Sequence, residues 1–97
     1  MYVIIFPFYY IMGKYLVELL GTMFLVFVIL TTGNYLAIGA ALAIAVLLGG
    51  PISGGAFNPA VVMALYSAGK LQQTDIIPYI LMEVLGGLAG FYLYSKL

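Results

Sequence analysis

Long apolar stretches separated by short breaks dominate the pattern of hydrophobic and polar positions along the chain. The first, residues 15–32, reaches about 27 Å as an α-helix, which is enough to cross the hydrocarbon core of a bilayer. After a turn at Gly33 and Asn34 comes a second stretch, 35–49, which is short for a span. A third, 76–95, is full length. The pattern therefore predicts an all-α membrane protein with three transmembrane helices.

Residues 1–13 are also apolar and aromatic, but Pro7 and Gly13 divide them into pieces that are too short to span a membrane. They lack the basic start and the small-residue cleavage site of a secretory signal. Their aromatic rings suit the headgroup region of a bilayer. We therefore expect an interfacial lead-in at 1–14, followed by one membrane unit at 15–97.

The segment between the second and third spans interrupts the apolar pattern with glycines and a proline. Gly49, Gly50 and Pro51 are expected to end the second helix. The Ser-Gly-Gly sequence at 53–55 is typical of a loop and unsuited to the middle of a span. This segment therefore requires an interpretation of its own.

A short helix is predicted to begin directly after this loop. Asn is a preferred N-cap and Pro a preferred first helical residue, so Asn58-Pro59 indicates a helix start. The helix it opens, Pro59 to Ala68, ends before Gly69-Lys70 and rises roughly 15 Å, which is half of a bilayer core. A loop followed by a half-length helix is the re-entrant pattern, which we assign to 50–68.

The start of such a half-helix has a definite chemistry. Its unpaired N–H groups carry the positive end of the helix dipole, which repels cations and favours electron-rich oxygen. Water or a small neutral hydroxyl compound suits this site better than a cation does. Asn-Pro also starts helices in ordinary proteins, so the position of this pair between two spans is what favours a channel.

Composition excludes most other classes of function. Of 97 residues, 66% are hydrophobic and 6% are charged, the formal net charge is zero, and there is no Cys or His. A soluble domain carries about 25% charged residues, so the surplus apolar surface must face lipid. Without Cys or His there is no thiolate or imidazole metal site and no Ser/His or Cys/His catalytic dyad. Three cationic side chains are too few to form a basic surface for nucleic acid. We predict a multi-pass integral membrane protein that is not an enzyme and binds no cofactor, metal or nucleic acid.

The sequence SGGAFNPAV, Ser53 to Val61, resembles the first signature loop of the aquaporin and aquaglyceroporin family, the major intrinsic proteins. ELLGTMFLVFV, from Glu18, is similar to the start of that family's first helix, and YILMEVLGGLAG, from Tyr79, to its third. The resemblance implies one half of a full-length channel. In such a channel two inverted halves meet through their half-helix tips at the membrane midplane.

The resemblance also implies roles for individual residues. Asn58 donates to the permeating molecule, and Pro59 and Ala60 form the contact with the other half. The bulky pore residue of the second helix falls at Ile38, which makes the constriction aliphatic. The loop carbonyls line the pore as acceptors, from Gly54, Gly55, Ala56 and Phe57.

Some positions depart from the family pattern. Ala56 stands where the family usually has His, and Val62 where many members have Thr. The sequence shows no second signature loop, whose Arg lies at the narrow point in the family, and Val61 follows the tripeptide here. Two copies of this chain would therefore form a pore without that Arg, and its selectivity would rest on the half-helix dipoles and the Asn pair.

Two carboxylates, Glu18 and Glu83, lie inside apolar sequence, where a charge is costly. Each either relays protons or accepts hydrogen bonds from loop N–H groups that the re-entrant turn leaves unpaired. The family's first-helix Glu has the second role, which we favour for Glu18. Glu83 stands where the family usually has Gln, and is either protonated or paired with a donor. We expect both to be structural buried carboxylates.

An odd number of spans decides how two halves can be combined. A second copy in the same orientation cannot supply an inverted half. Lys14 and Lys70 lie on one side of the membrane and Lys96 on the other, so the positive-inside bias is only one Lys. This bias is weak enough for the chain to insert both ways. We predict a bilayer channel subunit that passes water or small neutral solutes such as glycerol, as an antiparallel homo-oligomer or with a complementary half. The alternative is a non-conducting membrane interaction protein that modulates the assembly of another channel.

Overall fold

Three long helices and one short helix form the structure, a computed structural model that describes the backbone of residues 2–97 and the side chains of residues 12–97. The long helices contain segments long and apolar enough to cross a membrane, Met12–Thr32, Tyr35–Ser53 and Gln73–Ser95. This confirms the predicted all-α membrane fold with three spans. In chain order the elements are α1 (Tyr2–Thr32), α2 (Tyr35–Ser53), α3 (Pro59–Ser67), a 3₁₀ turn (Gln73–Asp75) and α4 (Ile76–Ser95).

α1 is continuous from Tyr2 to Thr32, so the break expected at Pro7 and Gly13 is absent from its backbone. A glycine inside a helix costs about 1 kcal/mol. Exposing unpaired backbone groups in an apolar environment costs more, which favours continuing the helix. The side chains of residues 1–11 lie outside the described part of the chain, and the interfacial position of 1–14 stays a prediction.

α2 ends at Ser53, so the sequence-based end at Gly49 was wrong. A proline inside a helix removes its own N–H from the hydrogen-bond ladder and crowds the carbonyl four residues earlier. Pro51 lies in the last turn of α2, and the helix continues past it to Ser53. The helix stops instead at Gly54, whose φ of 90° is the left-handed conformation that glycine adopts most easily. The N–H of Gly54 donates to the carbonyl oxygen of Gly50 over 2.8 Å.

α1 lies in the centre of the bundle, with α2 and α4 packed against it. The face of α2 that is buried repeats every four residues, and α4 brings two glycines against the backbone of α1 near Leu19 and Met23. Small residues let helix backbones approach closely where lipid removes the hydrophobic driving force. These contact residues are Ala41, Ala45, Gly49 and Ser53 on α2, and Gly86 and Gly90 on α4.

Candidate functional site

The loop between α2 and α3 enters the bundle and turns round in its middle. It starts near the N-terminal end of the α1 span, where Ile52 lies close to Gly13. Pro59, at the start of α3, lines one cavity with Thr22, which is the central residue of the Met12–Thr32 span. The beginning of α3 therefore lies at mid-span.

α3 carries the chain back to the side from which the loop entered. Its nine residues rise about 13 Å, and Lys70 beyond it lines a polar cavity of about 310 Å³ together with Lys14. Asp75 accepts hydrogen bonds from Nζ of Lys14 at 2.8 Å and from the hydroxyl of Tyr15 at 2.7 Å. These bonds join the start of α4 to α1 at the membrane edge, so the loop and α3 form a re-entrant unit open to one side.

Phe57 anchors the turn of the loop. Its φ is 54°, a left-handed conformation that bulky residues rarely adopt. Its ring is buried in a slot that exists only because Gly21 of α1 and Gly49 of α2 have no side chains. Burial of an aromatic ring between two packed helices offsets the backbone strain, which is of the order of 1–3 kcal/mol.

Glu18 holds the same turn from within α1. Its side chain is fully buried, Oε1 accepts from the N–H of Phe57 at 2.9 Å, and Oε2 accepts from the N–H of Ala56 at 3.2 Å. The hydroxyl of Ser53 also donates to Oε2, over 2.7 Å. Backbone N–H groups that leave regular structure inside a membrane must find an acceptor, and Glu18 supplies one for two successive residues.

Tyr79 of α4 supports the loop from the other side. Its hydroxyl donates to the carbonyl oxygen of Ser53 over 2.7 Å, and its ring packs with the buried side chains of Ala56 and Val62. The Tyr15 ring meets it edge-on, with centroids 5.9 Å apart. The sequence reasoning missed Tyr79 as a support. A Tyr inside an apolar span was the available signal, since a buried hydroxyl needs a partner.

Asn58 occupies the exposed tip of this re-entrant unit. It is the N-cap of α3, and its Oδ1 accepts from the N–H of Ala60 at 2.7 Å. Its Nδ2 amide group has no acceptor among the described residues, and neither has the backbone N–H of Val61. The tip thus presents unused donors at mid-span, beside the exposed Pro59 and Ala60.

The loop that precedes this tip carries hydrogen-bond acceptors instead of donors. No described donor reaches the four successive carbonyl oxygens of the loop. Unpaired carbonyls at membrane depth are tolerated where backbone lines a watery cavity. A path along the loop would therefore meet acceptors first and donors at the tip. The four carbonyls belong to Gly54, Gly55, Ala56 and Phe57.

Ile38 lies near the end of α2 that is opposite to the loop. It is half-buried in the first turn of α2, sixteen residues before Gly54, which corresponds to about 24 Å along the helix. Three cavities contain loop residues and do not include Ile38 in their described lining. An aliphatic constriction at Ile38 stays a prediction.

Glu83 is buried, and it differs from Glu18 in its contacts. It lines a cavity of about 320 Å³ with Pro59 and Thr22. Neither of its carboxylate oxygens has a hydrogen-bond partner in the described part of the chain, and the hydroxyl of Thr22 has none either. The loop N–H groups of Ala56 and Phe57 bond to Glu18 alone.

Comparison with protein families gives one match that covers most of the chain. The model described as Major intrinsic protein matches residues 30–97, which include α2, the re-entrant unit and α4. No solved structure matches the chain.

Curated relatives agree with the family match. The glycerol uptake facilitator protein-like 6 of Lactiplantibacillus plantarum is 41% identical over 88 residues, covering 81% of this chain and 41% of the relative. Aquaporin Z of Photorhabdus laumondii is 43% identical over 63 residues, 64% of this chain and 27% of the relative. Aquaglyceroporin AqpS of Rhizobium meliloti is 40% identical over 57 residues, which cover 59% of this chain and 24% of the relative. The chain therefore spans about two fifths or less of the relatives it matches.

Proposed function

Since this chain belongs to the major intrinsic protein family and is an integral membrane protein with three spanning helices, we propose that it is a channel subunit for water or small neutral solutes such as glycerol. The observation that carries the proposal is the tip of the re-entrant unit. There the Nδ2 group of Asn58 and the N–H of Val61, both on exposed residues, have no acceptor in the described part of the chain.

The order of polar groups along the loop explains why such a path would suit neutral hydroxyl compounds. Four carbonyls in succession accept hydrogen bonds from a solute, and the donors at the tip then bond its oxygen. The start of α3 adds the positive end of a helix dipole, which opposes cations. Passage needs no covalent step, so the proposal assigns no enzymatic activity.

The uncovered tip also indicates what completes the pore. Asn58, Pro59 and Ala60 are all exposed at the depth where irregular backbone must be covered by protein or water. We propose that a second half-channel in inverted orientation meets this tip, supplied by another copy of the chain or by a complementary half. Two helices of about 13 Å placed end to end fill most of a core of about 30 Å.

Stopped-flow shrinkage of liposomes that contain the purified chain tests conduction. Asn58→Asp keeps an oxygen for the N–H of Ala60 but replaces the amide donor by a carboxylate oxygen. We expect this variant to lower water and glycerol permeability to near the lipid background. Asn34→Asp is the matched control, because Asn34 caps α2 in the same way, through the N–H groups of Leu36 and Ala37, away from the tip.

The same measurement separates the alternative, a non-conducting interaction protein that modulates another channel. The exposed tip would serve that role as well, by docking on a partner. Wild-type permeability at the lipid background, unchanged by Asn58→Asp, would contradict a conducting homo-oligomer and favour the alternative.

A further inference from the structure

Glu83 is a buried carboxyl group whose oxygens accept no well-formed hydrogen bond from the described residues. Its side chain is only 3% exposed, in the middle of α4, and no described N–H or O–H group makes a hydrogen bond to either oxygen. Its polar neighbours are the carboxyl of Glu18 and the backbone N–H of Asn58, and that N–H does not reach it with hydrogen-bond geometry. An ionised carboxylate left in this state would carry a large desolvation cost.

Glu18, its neighbour, is already well supplied with donors. Oε2 accepts two hydrogen bonds, from Ser53 and Ala56, while Oε1 accepts only one, from Phe57. Each carboxylate oxygen has two lone pairs. The Oε1 atom of Glu18 can therefore accept one more hydrogen bond.

No described cation is placed to neutralise a second charge here. Lys14 is paired with Asp75 at one membrane edge, and Lys70 lines the same cavity as that pair. Lys96 stands over the ring of Tyr92 at the opposite end of α4. Two adjacent carboxyl groups in an apolar interior cannot both ionise without such a cation.

We propose that Glu83 is a protonated carboxylic acid that donates a hydrogen bond to Oε1 of Glu18 and acts as a positioning residue for the re-entrant loop. Glu18 then holds the single negative charge of the pair and accepts from four donors. The bond joins α4 to the carboxylate that fixes the N–H groups of Ala56 and Phe57, so α1, α4 and the loop share one buried hydrogen-bond centre. This inference does not depend on whether the chain conducts.

Infrared spectroscopy of the full chain in liposomes tests the protonation directly. At neutral pH the wild type is expected to show the C=O stretch of a protonated carboxylic acid. Glu83→Gln should remove this band, whereas Asp75→Asn should leave it, because Asp75 is ion-paired with Lys14. Absence of the band in the wild type, or its persistence in Glu83→Gln, would overturn the proposal.

Conservative replacement tests the hydrogen bond to Glu18. The amide of Gln can donate to Oε1 as the protonated acid does, so Glu83→Gln should keep the wild-type Tm in detergent. Glu83→Leu has similar bulk but no donor, and should lower the Tm and speed the amide exchange of Ala56 and Phe57. If Glu83→Gln is as unstable as Glu83→Leu, or if neither differs from the wild type, Glu83 is not the donor that positions Glu18.

Discussion

At the scale of single residues, Phe57 shows how packing enforces a local conformation that sequence patterns disfavour. Its left-handed backbone turns the loop back toward the side it came from, and its ring fills the slot beside Gly21 and Gly49. Phe57 lies four residues after Ser53, and the turn between them brings the N–H groups of Ala56 and Phe57 to Glu18. The position of Asn58 thus depends on two glycines that never contact the tip.

Gly21→Ala tests this dependence. A methyl group at Gly21 would overlap the buried Phe57 ring, which cannot move without moving the turn of the loop. We therefore expect the free energy of unfolding to fall by about 1–3 kcal/mol, measured as a lower Tm in detergent. Gly39→Ala is the control, since nothing lies within 4 Å of a methyl group there and Ala favours a helix over Gly. Equal Tm values for the two variants would contradict the anchoring role of Phe57.

Glu18→Gln tests the acceptor function of Glu18. An amide has one acceptor oxygen, so it cannot satisfy Ala56, Phe57 and Ser53 as a carboxylate does. We expect a loss of about 1–3 kcal/mol, with faster hydrogen exchange at the Ala56 and Phe57 amides. Glu83→Gln makes the same chemical change on α4 and should spare those amides. A variant Glu18→Gln whose loop exchanges like the wild type would show that Glu18 is not the acceptor that fixes the loop.

At the scale of helices, the contact between α1 and α4 depends on side chains that are absent. Side chains added at Gly86 and Gly90 would meet the backbone carbonyls of Leu19 and Met23, whereas one added at Gly87 would meet only Val26 at an ordinary contact distance of 3.7 Å. Lipid provides no hydrophobic force between helices, so the closeness of the backbones carries the association.

Gly86→Ala should therefore push α4 away from α1. The obstacle is backbone, which cannot change rotamer, so we expect a Tm loss at least as large as that of Gly21→Ala, together with loss of the Glu83 contact to Glu18. Gly87→Ala, one residue along, should leave the Tm near that of the wild type. Thermal unfolding of both variants in the same detergent makes the comparison, and equal stability would show that α1 and α4 are not in close contact.

The helix ends that follow from local sequence were predicted well, and the end that depends on a contact distant in sequence was not. Hydropathy and turn residues gave the end of α1 at Thr32, the start of α2 after Asn34, and both ends of α4. The end of α2 was misplaced because a Gly-Gly-Pro sequence usually stops a helix, whereas here the helix continues to bring Ser53 to Glu18. That contact joins residues far apart in sequence, and local propensity cannot reveal it.

At the candidate site, too, local features were predictable and contacts between helices were not. Asn58 and Pro59 follow local capping rules and take the positions those rules give. The conformation of Phe57, the support by Tyr79 and the clamp of Asp75 on Lys14 all arise from contacts between separate helices. For Glu18, residue type and place left proton relay and hydrogen-bond acceptance both open, and the resemblance to the family favoured the acceptor. Its donors could be identified only in the folded chain.

At the scale of the whole molecule, the three spans place the two ends of the described chain on opposite sides of a membrane. The tip of α3 lies between them, at mid-span, and a second copy can meet it tip to tip only in inverted orientation. An antiparallel pair would bring two Ala60 residues together and keep the two Leu97 residues a full bilayer apart. A parallel pair would place both Leu97 residues at one surface.

Cysteine cross-linking distinguishes these arrangements, because the chain has no native Cys. We expect Ala60→Cys to form a disulfide-linked dimer in liposomes under mild oxidation, since the Ala60 side chain is exposed at the tip. Leu97→Cys, which is 84% exposed, should stay monomeric because inverted copies keep its sulfur atoms on opposite faces. Efficient cross-linking through Leu97→Cys with none through Ala60→Cys would indicate parallel association, and the tip would then need a different protein to complete a pore.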